Sequence, residues 1–596
     1  MLNKININSK EQILIIYIVL AVVTLAVFWQ VSQYDFIGLD DFEYIVNNSH
    51  IQSGITLDGV RWAFSTTNQN LWNPLIWLSL MFDYQLFGLN AGGYHMTNLI
   101  LHILSTLLLF WLFKRMTNEI WKSAFIAAVF ALHPLHVESV AWVSERKDVL
   151  SAFFWMLTLC FYVYYTEKPA IKRYLLVLFS FVCSLMSKSM VVTLPVIMIL
   201  IDYWPLGRFQ SKKGSLLLWQ LWEKTPFFVL SAVLAIITFY AMYDPTIKDY
   251  FPLGSRFANA PVSFVTYLGK TFWPHDMTIF YPFVKQLPIW QVWGAVLLIL
   301  LISVAVIAMM KRMPYLLIGW LWYAITLLPV MGIIQNGYYA MADRYTYLPS
   351  IGIAIMLAWG IPPLFPREDI RKKILIPAEM AVLSILAILA WQQCGYWKNS
   401  FHLFNHAVLV TKDNYLAHNS LGTALTYAGK YEEAIEHCNK AIRIKPDYAN
   451  AYVGRAFIYY NTGQYEQALE DLNVAIRLQP DYVDIYLNMG ITYNKLRQFH
   501  MAIENYNKAI QIQPERIDFY NGRGYAYANL NKYQIAIEDF NTAIRLKPDF
   551  AESYKYRGFA YLRQGNNELG CLDAHRACDL GDCELLELAK RKGICR

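Results

Sequence analysis

Eleven stretches between residues 12 and 393 are apolar over roughly the length a helix needs to cross a hydrocarbon core of about 30 Å. They fall roughly at 12–30, 95–113, 121–137, 150–165, 174–188, 190–205, 226–243, 287–310, 314–334, 347–363 and 374–393. A chain with this many cannot be a purely soluble or disordered protein. The bulk composition agrees: 56% of the 596 residues are hydrophobic and 16% are charged, against about a quarter charged in soluble domains. The first stretch reads as an anchor, because Ile13–Phe28 is too long for the core of a cleavable signal and no small-residue cleavage site follows. The expected class is therefore all-α, with a polytopic helix bundle of about eleven spans in residues 1–393.

Orientation follows from the lysines and arginines of alternate loops. One set contains Lys4, Lys10, Lys114, Arg115, Lys122, Lys168, Lys172, Arg173, Arg208, Lys212, Lys213, Lys224, Lys311, Arg312, Arg367, Arg371, Lys372 and Lys373, eighteen in all, whereas the longer alternate loops hold nine. This predicts a cytoplasmic N-terminus and, with an odd span count, a tail on the opposite face. The long loop 31–93 is then extracytoplasmic, and Arg61 is its only cation beside Asp35, Asp40, Asp41, Glu43, Asp58 and Asp83. A net charge of +7 spread over many loops leaves no nucleic-acid footprint.

Beyond residue 393 the chain becomes polar and periodic. Pro446, Pro480, Pro514 and Pro548 recur every 34 residues, in register with Gly422/Ala456/Gly490/Gly524/Gly558, Tyr431/Tyr465/Phe499/Tyr533 and Ala434/Ala468/Ala502/Ala536. This resembles the tetratricopeptide repeat: small residues let paired helices approach, an aromatic fills the gap, and proline ends the unit. The expected layout is a linker at 394–412, about five repeats over 413–581 and a capping helix at 582–596. Such an α-solenoid offers a groove to an extended polypeptide or serves as a rigid spacer. Cys571, Cys578, Cys583 and Cys595 have no CxxC spacing and suit disulfides on an oxidising face, or small buried hydrophobes in a reducing one. If the chain turns back at Gly581, Cys578 meets Cys583 and Cys571 can reach Cys595.

Three outer segments could carry chemistry. Adjacent carboxylates Asp40 and Asp41 raise each other's pKa, and one near an acceptor hydroxyl can act as general base; the pair also suits a solvated loop or helix cap. His133, His136 and Glu138 have a spacing that admits a divalent metal, although Pro134 interrupts the helix between the histidines. A hydrogen-bonded scaffold or direct substrate contact are the other readings of this cluster, which continues through Ser144-Glu145-Arg146-Lys147-Asp148. Arg344 and Tyr345, in Ala342-Asp343-Arg344-Tyr345-Thr346-Tyr347, suit a lipid phosphate at the headgroup level, or an anchor in which Arg344 pairs with Asp343.

Together with Trp72-Asn73-Pro74-Leu75, Phe87-Gly88-Leu89 and Gly93-Tyr94-His95-Met96-Thr97-Asn98, these segments resemble the transmembrane and tetratricopeptide-repeat protein O-mannosyltransferases of the GT-C class. The resemblance covers nearly the whole chain and extends to the order of membrane half and repeats. It implies a glycosyltransferase that moves a sugar from a polyprenyl-phosphate donor to Ser or Thr hydroxyls of an acceptor protein on the extracytoplasmic face, with the repeats binding the acceptor. It implies Asp40 or Asp41 as catalytic base and Arg344 on the donor phosphate, with Arg146 and Tyr345 beside it. Glu138, His133, His136, Asp148, His95 and Asn98 would line the site, with His102 one turn deeper and Lys188 or Lys270 helping at the phosphate. No cofactor is otherwise implied. Asn73 stands where animal members more often carry Arg, and Ser144-Glu145-Arg146 replaces a Gly-Arg pair. Short loops and a compact repeat count fit a bacterial relative in the inner membrane.

Two other classes compete. A non-catalytic scaffold for an envelope, pilus or secretion complex explains the repeats but gives no reason for charged motifs to gather on one face. A transporter or flippase needs ionisable groups deep in its spans, and His102 and Lys188 alone qualify.

Overall fold

The computed structural model describes residues 9–67, 72–209, 216–241, 252–284, 286–333, 339–365 and 367–595. Lys4, Leu71, Lys212 and Lys213 lie outside the described residues. The fold is all-α as expected, and among the described residues the one extended pairing is an isolated bridge between Pro282 and Tyr339. The chain divides into two compact units, Met1–Lys412 and Asp413–Arg596.

In the first unit the described residues of the eleven apolar stretches fall mainly on helices, but the count of about eleven spans is not confirmed. Among the described residues six helices are long and apolar enough to cross a membrane: Lys10–Gln33, Ala91–Thr117, Val143–Glu167, Gln220–Ala241, Ile289–Met309 and Lys373–Gly395. A seventh is counted if Ile120–Leu132 and Pro134–Ala141, bent by 52° to each other, form one broken span. Ser189–Tyr203, Pro314–Val330 and Ser350–Leu364 are apolar but shorter. At 1.5 Å per residue, fifteen residues reach only about 22 Å, so hydropathy alone overstates how far these helices go. The helix Leu253–Phe272, absent from the expected set because its apolar residues are interleaved with polar ones, packs Phe264 and Tyr267 against Tyr323.

Two helices cross at backbone contact. A Cβ on Gly319 would sit 2.4 Å from the Gly352 carbonyl oxygen, and one on Gly352 would sit 2.3 Å from that of Gly319. Helices Pro314–Leu327 and Ser350–Gly360 therefore approach as only glycine permits, which fixes the start of the second helix and the Asp343–Thr346 turn just before it. Where a linker was expected, Ser400–Val410 is helical and belongs to the first unit. The Ser400 hydroxyl accepts from the Gly38 N–H at 2.7 Å, and the Lys398 carbonyl accepts from the Asp35 N–H at 3.1 Å.

The second unit consists of five helix pairs from Tyr415–Tyr427 to Asn567–Asp579, followed by Glu584–Arg591. The in-register alanines Ala434, Ala468, Ala502 and Ala536 are all fully buried between paired helices. Arg455, Arg523 and Arg557 each fork onto an aspartate sixteen residues later, Asp471, Asp539 and Asp573, at 2.6 to 2.9 Å, and also reach an asparagine sixteen residues earlier. The forks join the two helices of one repeat, and the asparagine contacts tie each repeat to the one before it. Cys571 pairs with Cys595 and Cys578 with Cys583, the pairing expected from a turn at Gly581. The other four cysteines are free and buried.

Candidate functional site

The centre of the first unit is the turn between Ile120–Leu132 and Arg146–Glu167. Pro134 stops the incoming helix, and the His133 ring accepts from the Leu135 N–H at 3.2 Å to start a short 3-10 turn. The chain then folds through Val137–Ala141 and Val143–Glu145 before the next long helix begins at Arg146. This folding brings Glu138, Glu145, Lys147 and Asp148 to one place and offers them to the two other motif segments.

The Asp40–Asp41 segment meets this turn directly, and its two carboxylates have opposite environments. Asp41 is fully buried: Oδ1 accepts from the Ser144 N–H at 2.9 Å and from the Ser144 hydroxyl, and Oδ2 accepts from the Ile37 N–H at 2.9 Å. Burial pushes its pKa up to about 6, against the pull of those donors. The Asp40 side chain is 41% exposed, and among the described residues its one ionic contact is Lys147 at 3.7 Å. Asp41 thus fixes the loop, and Asp40 is presented to whatever enters.

From Asp40 a chain of charges runs inward. Lys147 lies 3.2 Å from Glu145, and Glu145 lies 3.1 Å from Arg344 Nε and 3.8 Å from Lys188. Arg344 also forks onto Glu138, through its guanidinium and through its backbone N–H at 3.0 Å, and donates to the Tyr339 hydroxyl at 2.9 Å. Lys188 bonds Asp148. The guanidinium lies over the Tyr345 ring at 5.1 Å and the Trp142 ring at 5.5 Å. Arg344 does not take Asp343 as its ion partner. Asp343 instead accepts from the Tyr281 hydroxyl at 2.8 Å and the Thr278 N–H at 3.2 Å, and burial pushes its pKa up to about 6.

Several expected site residues are occupied elsewhere. Arg146 is fully buried, bonded to Asn98, to Ser79 at 2.6 Å, to Asp83 at 2.6 Å and to the Tyr94 carbonyl at 3.0 Å. Asn98 in turn donates to the Trp142 carbonyl at 2.9 Å, so the pair braces the turn. His95 faces the Asp35 carbonyl at 3.4 Å. His133 bonds the Thr271 carbonyl at 3.0 Å; His136 bonds the Phe130 carbonyl at 2.7 Å and Ser350 at 3.0 Å. Both rings are spent on scaffold contacts, and among the described residues no group of three His, Cys, Asp or Glu side chains could hold a metal. His102 is likewise held by Tyr347 at 2.6 Å and the Ala131 carbonyl at 3.1 Å. Lys270 donates to the carbonyls of His275 and Asp276 at 2.7 and 3.1 Å, outside the Arg344 network.

Glu145, Lys147 and Asp83 receive no role from the sequence, although Glu145 and Lys147 sit in the longest unbroken run of charged residues in a charge-poor bundle. That run was the available signal. A cleft of about 580 Å3 adjoins the Asp40–Asp41 segment, lined by Gln33, Asp35, Phe36, Phe42, Val46 and Asn90 among others.

Comparison with known proteins extends this picture. Residues 422–463 and 458–496 match the family model described as TPR repeat, and 483–516 and 517–550 that described as Tetratricopeptide repeat. Protein O-mannosyl-transferase TMTC1 of Homo sapiens is 24% identical over 471 residues, which cover 69% of this chain and 53% of that protein. Protein O-mannosyl-transferase Tmtc3 of Drosophila melanogaster is 23% identical over 541 residues, covering 76% and 57%. Among solved structures, the crystal structure of YrrB, a TPR protein with an unusual peptide-binding site, is 21% identical with a TM-score of 0.28, and covers 32% of this chain and 97% of that one. The chain spans a little over half the length of these two curated relatives. The resemblance to the transmembrane and tetratricopeptide-repeat protein O-mannosyltransferases is thus borne out by relatives that match more than two thirds of this chain, and the tetratricopeptide character of its second unit by the repeat models.

Proposed function

We propose that this chain is a membrane glycosyltransferase of the protein O-mannosyltransferase type, which moves a sugar from a polyprenyl-phosphate donor to Ser or Thr hydroxyls of an acceptor protein on the extracytoplasmic face. The observation that carries the reading is the half-open Asp40 carboxylate at the head of the charge chain through Lys147 and Glu145 to Arg344. A base and a phosphate-binding cation joined in one network is what a transfer from a sugar phosphate requires. The names of the relatives point to the same chemistry.

In this mechanism Asp40 takes the proton of the acceptor hydroxyl as the oxygen attacks the anomeric carbon, and the bond from that carbon to the phosphate oxygen breaks with inversion. Arg344, held flat between Glu138 and the faces of Trp142 and Tyr345, addresses the donor phosphate. Asp41 and Arg146 are structural: they hold the loop and the turn in register. The repeat unit binds the acceptor polypeptide and raises its effective concentration at the membrane. Two disulfides in that unit and the asymmetry of Lys and Arg between alternate loops support its placement on the oxidising side, opposite the N-terminus.

The test is a panel of radiolabelled polyprenyl-phosphate sugars offered with a Ser/Thr-rich peptide to the protein purified in detergent. One donor should be consumed with label transferred to peptide. Failure to consume any donor leaves the charge network without a reaction and rejects this reading.

A further inference from the structure

We propose that Lys147 is a further catalytic residue, the cation that passes from the base to the donor phosphate as the sugar leaves. The inference rests on the proposed transferase activity and names the group that neutralises the charge formed in it.

Three cations lie within the network, and two are already committed. Arg344 gives one guanidinium N–H to Glu138 and one to the Tyr339 hydroxyl, and its Nε lies 3.1 Å from Glu145. Lys188 is bonded to Asp148, whose side chain is 5% exposed. Lys147 differs. Its contacts with Glu145 and Asp40, at 3.2 and 3.7 Å, are both longer than the roughly 2.7–2.9 Å of a charge-assisted hydrogen bond. Its ammonium also lies over the ring faces of Tyr44 and Trp142, at 5.7 and 6.0 Å. Ring faces favour the ammonium without using its N–H donors. Its side chain is 12% exposed and neighbours the open Asp40.

Charge bookkeeping then assigns the step. The donor is a phosphodiester with one negative charge. When the acceptor oxygen bonds the anomeric carbon, the electron pair of the departing bond goes to the phosphate oxygen, and the lipid leaves as a monoester with a second charge. The acceptor proton goes to Asp40, which loses its charge in the same step. Lys147 therefore loses an anionic partner just as a new one forms, and its ammonium can turn from Asp40 to the leaving phosphate. The charge of Arg344 is already shared by Glu138 and Glu145 and faces the charge the donor carries from the start, so the second charge on the phosphate falls to Lys147.

The experiment compares wild type with Lys147→Met and Lys147→Arg, using the donor that the wild type consumes. It reads kcat, donor KM and inhibition by sugar-free polyprenyl phosphate, the doubly charged product. Lys147→Met is expected to lower kcat by about a hundredfold, in the range for loss of one charge-stabilising donor. It should weaken product inhibition by at least about tenfold while donor KM shifts less than about threefold, and Lys147→Arg should restore most of both. Lys147→Gln serves in the same comparison if the Met variant does not fold. A kcat within about threefold of wild type, or KM and product inhibition that shift together, overturns the inference while the transferase reading stands. A wild type that consumes no donor rejects that reading and this inference with it.

Discussion

Ser144 holds Asp41 twice through one oxygen, its backbone N–H donating at 2.9 Å and its hydroxyl donating to the same Oδ1. The contact joins segments 103 residues apart and seats the Asp40–Asp41 loop on the turn that carries Glu145 and Lys147. Ser144→Ala removes the hydroxyl and leaves the backbone donor. It is expected to lower stability by about 1.5–3 kcal/mol, the cost of one hydrogen bond to a buried charged group. Thermal unfolding in detergent checks this; an unchanged midpoint contradicts the role given to the contact.

Two buried carboxylates make stability depend on pH. Asp41 and Asp343, both outside the candidate spans, have folded-state values pushed up to about 6 by burial, above the ordinary 3.8. Between those values the folded protein holds a proton that the unfolded chain has released, so each group's contribution to stability falls as pH rises from about 4 to about 6 and is level above. Asp41→Asn removes one such group. The difference in stability between wild type and Asp41→Asn should drift against the wild type across that window. A flat difference from pH 4 to 7 contradicts the buried placement.

Arg146 and Asp83 form a fully buried ion pair at 2.6 Å. Removing one partner of such a pair typically costs about 3–5 kcal/mol, because the other charge is stranded. Asp83→Ala and Arg146→Met are therefore expected to lose folded protein in detergent, seen as early elution or loss of the monodisperse peak. If Arg146→Met folds normally and loses only donor affinity, Arg146 belongs at the phosphate after all.

The disulfide between Cys571 and Cys595 closes a loop of separation 24 over the last helices. In the chain-entropy picture such a loop stabilises by about 3 kcal/mol. Cys571→Ser with Cys595→Ser should lower the unfolding midpoint of the repeat unit and expose the Glu584–Arg591 helix to proteolysis. Mass mapping of the unreduced protein should recover both bridges.

The repeat register was legible because proline, glycine and alanine recur at 34 residues, and each of those positions has a packing reason visible in sequence. The apolar stretches were equally legible as helices. Their lengths as helices were not, since hydropathy averages across breaks such as His133–Pro134 and does not register that the helix Ser189–Tyr203 has only 15 residues. In the site, sequence could point to Asp40 and Asp41 but not separate them. Which of two adjacent carboxylates turns inward depends on Ser144, more than a hundred residues away. The surroundings of Arg146 were hidden for the same reason: its partners Asp83, Asn98 and Ser79 lie 48 to 67 residues away in the chain.

The proposed division between the two aspartates is tested most directly by donor consumption in Asp40→Asn, measured beside wild type at matched folded protein. With Asp40 as the base that faces the acceptor, Asp40→Asn should unfold at the wild-type temperature and lose at least about a hundredfold in transfer, the usual range for removing a general base. Transfer at the wild-type rate by Asp40→Asn contradicts the assignment.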